Sequence, residues 1–162
     1  MKRLIVILFL LFSLSFVSLS QEPFIYVGED GEIEWFTSDE LSEMIFPEIE
    51  NSIKQMNRQC PIVLDEYTEL TSALVIGTTI HYNYTCYVDS DLLDEEDIKE
   101  FCEEKQKIQE DNSLFLFKQN SDKMPINEWI RLYKELGIKY NHNFKDINGK
   151  TWAKIVIDFK NL

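Results

Sequence analysis

The chain has 162 residues, 44% of them hydrophobic, and sets 16 Lys and Arg against 29 Asp and Glu for a formal charge of −13 at pH 7. That charge repels polyanions at long range, and no block or stripe of Lys and Arg is present to overcome it, which excludes nucleic acid as the expected partner. A cationic protein or peptide, or a divalent cation, is steered inward by the same field.

Lys2 and Arg3 precede an apolar run from Leu4 to Leu14, and Ser15, Ser18 and Ser20 then bring in small residues before the polar Gln21. This is the pattern of a secretory signal peptide over residues 1–20. The run is shorter than the roughly 20 residues of a membrane-spanning helix, and no charged stop-transfer segment follows it. No Cys stands near the cut to carry a lipid anchor. Residues 21–162 are therefore expected to form one exported domain, periplasmic or extracellular, with no membrane span and with a single hydrophobic core. The leader carries Lys2 and Arg3 and no acid, so its removal takes the charge from −13 to −15.

In chain order, Phe24 to Val27 and Ile33 to Phe36 flank a Gly28–Gly31 turn, which reads as a short hairpin or adaptable arm over residues 21–37. Ser38 reads as the cap of a helix with Asp39 and Glu40 in its first turn, where the dipole favours negative charge. Leu41, Ile45, Ile49, Ile53 and Met56 recur at helical spacing and carry that helix to about Gln59, with Pro47 set to bend or divide it. Ile62–Leu64, Thr68–Ile76 and Thr78–Val88 are β-rich, with Gly77 as a turn.

Acids crowd residues 89–97, and Ile98, Phe101, Cys102, Lys105 and Ile108 mark a second helix toward Asn112. Leu114 to Phe117 either extends it or forms a short buried run. Pro125, then Ile126, Trp129, Ile130, Tyr133 and Leu136, mark a third helix ending at Gly137. Ile138–Phe144 and Thr151–Phe159 are strands joined at Asp146-Ile147-Asn148-Gly149, whose Asn-Gly pair is a strong hairpin signal. Grouped helices and strands with tight turns predict an α+β domain, with an antiparallel sheet of about four strands packed on one face by two to three helices.

Ile80-His81-Tyr82-Asn83-Tyr84 echoes Ile138-Lys139-Tyr140-Asn141-His142. Alternation within each strand puts Tyr82 and Tyr84 on one face and His81 and Asn83 on the other. Aligning Tyr140 with Tyr82 sends His142 with the tyrosines and His81 away from them, which disfavours a two-histidine metal site. Tyr82, Tyr84, Tyr140 and His142 become the candidate ligand-facing residues.

Cys60, Cys86 and Cys102 allow at most one intramolecular disulfide in an oxidising compartment, in any of three pairings. The preferred pairing is Cys60 with Cys102, each on a predicted helix, leaving Cys86 a buried thiol; the alternative is that all three stay reduced. Cys60 with His81 or His142 would make a thiol nucleophile and base if they met in space, but its place directly before Pro61 suits packing or a disulfide better. Asp89-Ser90-Asp91 and Asp94 to Asp97 lack the Gly and late Glu of a calcium loop and read as a solvated turn and an acid-capped helix. Spacings for zinc, phosphate loops and catalytic elbows are missing, so no cofactor or metal is expected. Asn83-Tyr84-Thr85 matches an N-glycosylation acceptor but falls in a half-buried strand.

Asn57-Arg58-Gln59-Cys60-Pro61-Ile62, followed by Asp65, Thr68 and Leu70 and then the Tyr82-Asn83-Tyr84 strand, resembles a group of small exported bacterial proteins of unknown function. In that group an Asn-x-x-Cys-Pro turn, an Asp, a Thr-x-Leu and a Tyr-x-Tyr strand follow one another. The resemblance covers about residues 50–160. It implies a helix-and-sheet domain outside the cytoplasm and brings no substrate or catalytic residue. By their own chemistry, Pro61 stops the helix and Asp65 and Thr68 bond local backbone.

The expected function is that of a non-enzymatic binding or interaction domain. Trp35 and Phe36 are the candidate anchors for an unidentified, cationic protein or peptide. The alternative is a small hydrolase or small-ligand-binding protein using a cup lined by Tyr82, Tyr84, Tyr140 and His142.

Overall fold

The computed structural model describes residues 22–28 and 30–161. The leader read at residues 1–20 lies outside the described residues. Two strands, β1 (Phe24–Val27) and β2 (Ile33–Phe36), form an antiparallel hairpin in which Phe24 faces Phe36 and Val27 faces Ile33. Gly31 turns the chain with a φ of 81°, in the left-handed region that suits glycine.

Helix α1 (Ser38–Asn57) begins at Ser38, the residue expected to cap it, so its cap lies one residue earlier. Thr37 supplies the cap: its Oγ1 accepts from the Glu40 amide at 3.3 Å, and the Glu40 carboxylate accepts from the Thr37 amide at 2.8 Å. Pro47 sits inside α1 without dividing it. Next come β3 (Ile62–Val63), β4 (Thr68–Ile76) and β5 (Thr79–Cys86).

Helix α2 (Glu95–Gln119) is capped by Asp94, whose side chain accepts from the amides of Glu96 and Asp97 at 2.9 Å each. Its length settles the open reading of Leu114–Phe117, which extend it. Helix α3 (Ile126–Leu136) ends at Gly137, in the left-handed conformation of a helix terminator. Strands β6 (Lys139–Lys145) and β7 (Thr151–Asp158) follow, and a short 3-10 turn, Phe159–Asn161, comes after them. The turn between the two strands is tied by Asp146, whose Oδ1 accepts from the amides of Asn148 and Lys150 at 2.8 and 2.9 Å, while its Oδ2 accepts from Ser90 Oγ at 2.7 Å.

The domain is α+β, as its segment order implies. The main sheet runs β3-β4-β5-β6-β7, five strands rather than about four, and β5 pairs with β6 in parallel. The two tight hairpins fix antiparallel pairs, whereas a crossover through α2 and α3 leaves the joining pair free to run parallel. Leu70, Ala73, Ile80, Tyr84, Phe144, Ala153, Ile155 and Ile157 share one buried face. Ile53 of α1, Phe117 of α2 and Tyr133 of α3 all reach into the same core. A second cluster of Phe24, Leu41, Met124 and Leu132 lies beneath the β1–β2 hairpin.

The expected Cys60–Cys102 disulfide is not formed; all three cysteines are free thiols. Cys60 precedes β3 at one edge of the sheet, and Cys102 lies on α2, which packs on β7 at the other. Four strand spacings of about 4.8 Å separate those edges, whereas a disulfide needs Cα atoms within about 7 Å. Cys86 is buried, and desolvation raises its thiol pKa.

Candidate functional site

The parallel register sets Ile80 beside Tyr140, Tyr82 beside His142 and Tyr84 beside Phe144, so the two echoing strands are neighbours with their aromatic residues on the helix side. His81 pairs with Asn141 on the opposite face. The two histidines thus point apart, as alternation requires.

Tyr82, His142 and Tyr84 form a stack. The imidazole lies 5.0 Å from the Tyr82 ring at 15° and 5.8 Å from the Tyr84 ring at 16°, and Tyr84 stacks in turn on Phe144 at 4.7 Å. Tyr84 Oη and His142 Nδ1 share a hydrogen bond of 2.9 Å, whose direction follows the imidazole tautomer. His142 Nε2 is buried with no partner. Desolvation accordingly pushes the His142 pKa down to about 4 and raises that of Tyr84. At neutral pH both groups are uncharged.

Phe101, Phe144 and Trp152 fill one end of this face, with Phe101 4.6 Å from Trp152 and 5.0 Å from Phe144. Tyr84 and His142 are core residues, and the expected cup does not extend to them. Tyr82 and Tyr140 do line an open cleft of 290 Å³, walled by Ile45, Ile49 and Met56 of α1, Leu116 and Phe117 of α2, and Trp129 and Tyr133 of α3. Glu48, Ser52 and Asn120 contribute to its lining from exposed positions. The Tyr140 ring meets those of Tyr82 and Tyr133 edge-on at 6.1 and 6.3 Å. Burial raises the pKa of all three phenols, that of Tyr82 to about 12, so each keeps its proton.

Cys60 does not join a histidine. β3, which it precedes, is three strand positions from the β6 strand of His142, roughly 14 Å at the ordinary spacing, and His81 projects from the far face. A hydrolytic pair needs hydrogen-bond contact.

The β1–β2 hairpin is the other candidate surface. Pairing of Ile25 with Trp35 and Val27 with Ile33 puts these four side chains on one side. Ile33 is 64% exposed, Trp35 62% and Ile25 37%. Phe36 turns the other way and meets Tyr26 edge-on at 6.0 Å, packed against the second cluster. Of the two expected anchors, only Trp35 faces outward. Glu22, Asp30, Glu32 and Glu34 are exposed on the same hairpin segment, and Glu34, paired with Tyr26, lies on the face opposite the ridge.

Arg131, which sequence reading did not single out, positions the hairpin. Its Nη1 donates to the Glu22 carbonyl at 2.8 Å and its Nη2 to the Pro23 carbonyl at 3.2 Å, while the guanidinium lies 3.8 Å over the Phe24 ring. Glu128 holds the guanidinium in place by accepting from Nε at 3.1 Å. The Val27 amide donates to the Lys123 carbonyl at 2.8 Å. These ties make the hairpin part of the α3 surface rather than an adaptable arm.

The sheet face away from the helices carries a polar ladder that sequence reading also missed. Asn143 Nδ2 donates to Asn83 Oδ1 at 3.3 Å, and Asn83 Nδ2 donates to Ser72 Oγ at 3.1 Å. Asn141 Nδ2 lies 3.0 Å from His81 Nδ1. The available signal was the alternation His-x-Asn in one strand and Asn-x-Asn in the other.

No protein-family model and no curated protein matches the chain. Among solved structures, the type II secretion system pilotin AspS from Vibrio cholerae is similar over 74% of this chain and 94% of its own, with 14% identity and a TM-score of 0.42. A protein of Pseudomonas aeruginosa described as secreted is similar over 75% of this chain and 91% of its own, with 12% identity and a TM-score of 0.45. Likenesses at these scores carry neither role nor partner to this chain.

Proposed function

We propose that the chain is an exported, non-enzymatic interaction domain that holds a basic polypeptide against the outer face of its β1–β2 hairpin. The observation that carries this reading is the exposed ridge of Ile25, Ile33 and Trp35, on a hairpin that also carries the exposed acids Glu22, Asp30, Glu32 and Glu34 and is fastened to α3 by Arg131. An exposed aromatic and two aliphatic side chains on a fixed hairpin offer a partner an apolar anchor with little ordering to pay for. The acids of the hairpin favour a partner of opposite charge and speed its encounter. Export rests on the Lys2-Arg3 start and the apolar run to Leu14, and places the domain in the periplasm or outside the cell. Among the described residues, no helix is long and apolar enough to cross a membrane.

The test is recovery of the tagged full chain, matured in its native host, at low and at high salt. A basic protein is expected in near-equal amount with the parent chain, less of it at high salt, and little of it with Trp35→Ala. Equal recovery with Trp35→Ala, or retention that salt does not touch, would overturn the reading.

A further inference from the structure

The cleft between α1, the ends of α2 and α3, and the sheet is independent of the hairpin ridge, and its chemistry is of a different kind. Its floor holds the phenols of Tyr82, Tyr133 and Tyr140, Trp129 forms part of its wall, and Glu48 is the one charged side chain among its described lining residues. We propose that this cleft is a binding site for a small organic ammonium compound, with the cationic head against the tyrosine floor and its apolar remainder along Ile49 and its neighbours.

Three features select that class. Tyr82, Trp129, Tyr133 and Tyr140 line the cleft, and aromatic rings attract a cation that comes to lie over a ring face. Phenols that keep their protons present neutral oxygens, which accept hydrogen bonds from an N–H or lie against N-methyl groups. Glu48 and the overall negative charge, −13 with the leader and −15 without it, repel an anion from the mouth and attract a cation to it. Size selects as well: 290 Å³ lies just below the roughly 300–1,000 Å³ of drug-sized ligand pockets, room for a small molecule rather than a folded segment.

The experiment is titration of the full mature chain with choline chloride and with 3,3-dimethyl-1-butanol, its uncharged carbon isostere, read by calorimetry and by the fluorescence of Trp129 against a Trp129→Phe control. Choline is expected to bind saturably and at least about tenfold more tightly than the isostere, the factor that about 1.4 kcal/mol of cation–π and ionic attraction supplies. Glu48→Gln, an exposed position on α1, is expected to weaken choline several-fold and leave the isostere unchanged, and Tyr140→Phe to weaken choline while keeping the aromatic wall. A lysine-containing peptide that binds where choline does not would assign the cleft to a polypeptide and overturn the small-molecule site. Equal binding of choline and its isostere, or saturable binding of neither, would overturn the cationic selectivity.

Discussion

His142 makes the stability of this domain depend on pH in a way that one substitution removes. Its imidazole is 3% exposed, stacked between Tyr82 and Tyr84, with one ring nitrogen bonded and the other buried without a partner. The unfolded chain takes up a proton at the ordinary value of 6.5, and the folded chain not until about 4. Between those values the unfolded state holds more protons, so stability rises with pH through the window. The contribution is complete above the unfolded value, falls away as pH drops through the window, and is gone below the folded value. At about 1.4 kcal/mol per pH unit the whole window is worth about 3 kcal/mol, of which roughly 2 kcal/mol is lost by about pH 5. Urea unfolding of the parent and of His142→Phe at about pH 7.5 and about pH 5 isolates this amount. Phenylalanine keeps the stack and cannot titrate; the Tyr84 hydroxyl it leaves unpaired costs about 1–3 kcal/mol at both pH values and cancels in the comparison. The parent is expected to lose about 2 kcal/mol more than the variant on acidification. Equal losses would refute the burial of a neutral imidazole.

Arg131→Ala removes two carbonyl hydrogen bonds and the Phe24 contact. It is expected to cost about 2 kcal/mol and to speed amide exchange in β1 and β2 before it does so in β5 and β6. Asn57 clamps β4 to the end of α1, its Nδ2 donating to the Ala73 carbonyl at 2.6 Å and its Oδ1 accepting from the Ala73 amide at 2.7 Å. Asn57→Ala should lower stability by about 2 kcal/mol in urea unfolding, and Asn57→Asp, which keeps only the acceptor, should recover part of it. Thiol titration of the denatured, non-reduced protein should find three free thiols per chain, Cys60, Cys86 and Cys102; a count of one would restore the disulfide.

The helices were legible because their signals are local. Apolar spacing from Leu41 to Met56, acids at residues 94–97 and Gly137 each act within a turn or two, and α1, α2 and α3 follow them. The β4–β5 and β6–β7 hairpins were legible through Gly77 and Asn148-Gly149 for the same reason. The parallel joining of β5 to β6 was not, because it depends on where α2 and α3 dock and no local residue encodes it. The split of the two histidines onto opposite faces followed from alternation once Tyr140 was aligned with Tyr82. The Cys60–Cys102 pairing failed because helix membership says nothing about which sheet edge a helix covers. In the candidate site, Tyr82 and Tyr140 were legible as residues beside open space, while Tyr84 and His142 shared their pattern and turned out packed. Trp35 and Phe36 differ by one position and hence by one strand face, a distinction that pairing with Ile25 and Phe24 makes and composition does not. Arg131 was hidden because its partners on the hairpin are backbone carbonyls more than a hundred residues away.

The most direct test of the central claim is site-specific photocrosslinking in the native host. A benzophenone side chain replaces Trp35 on the hairpin ridge in one variant and Ile76, exposed at the far end of β4, in another. One dominant adduct with a basic protein is expected from position 35, absent from position 76 and lost when Glu32 and Glu34 are changed to Lys. No adduct from position 35, or the same adducts from both positions, would contradict the claim.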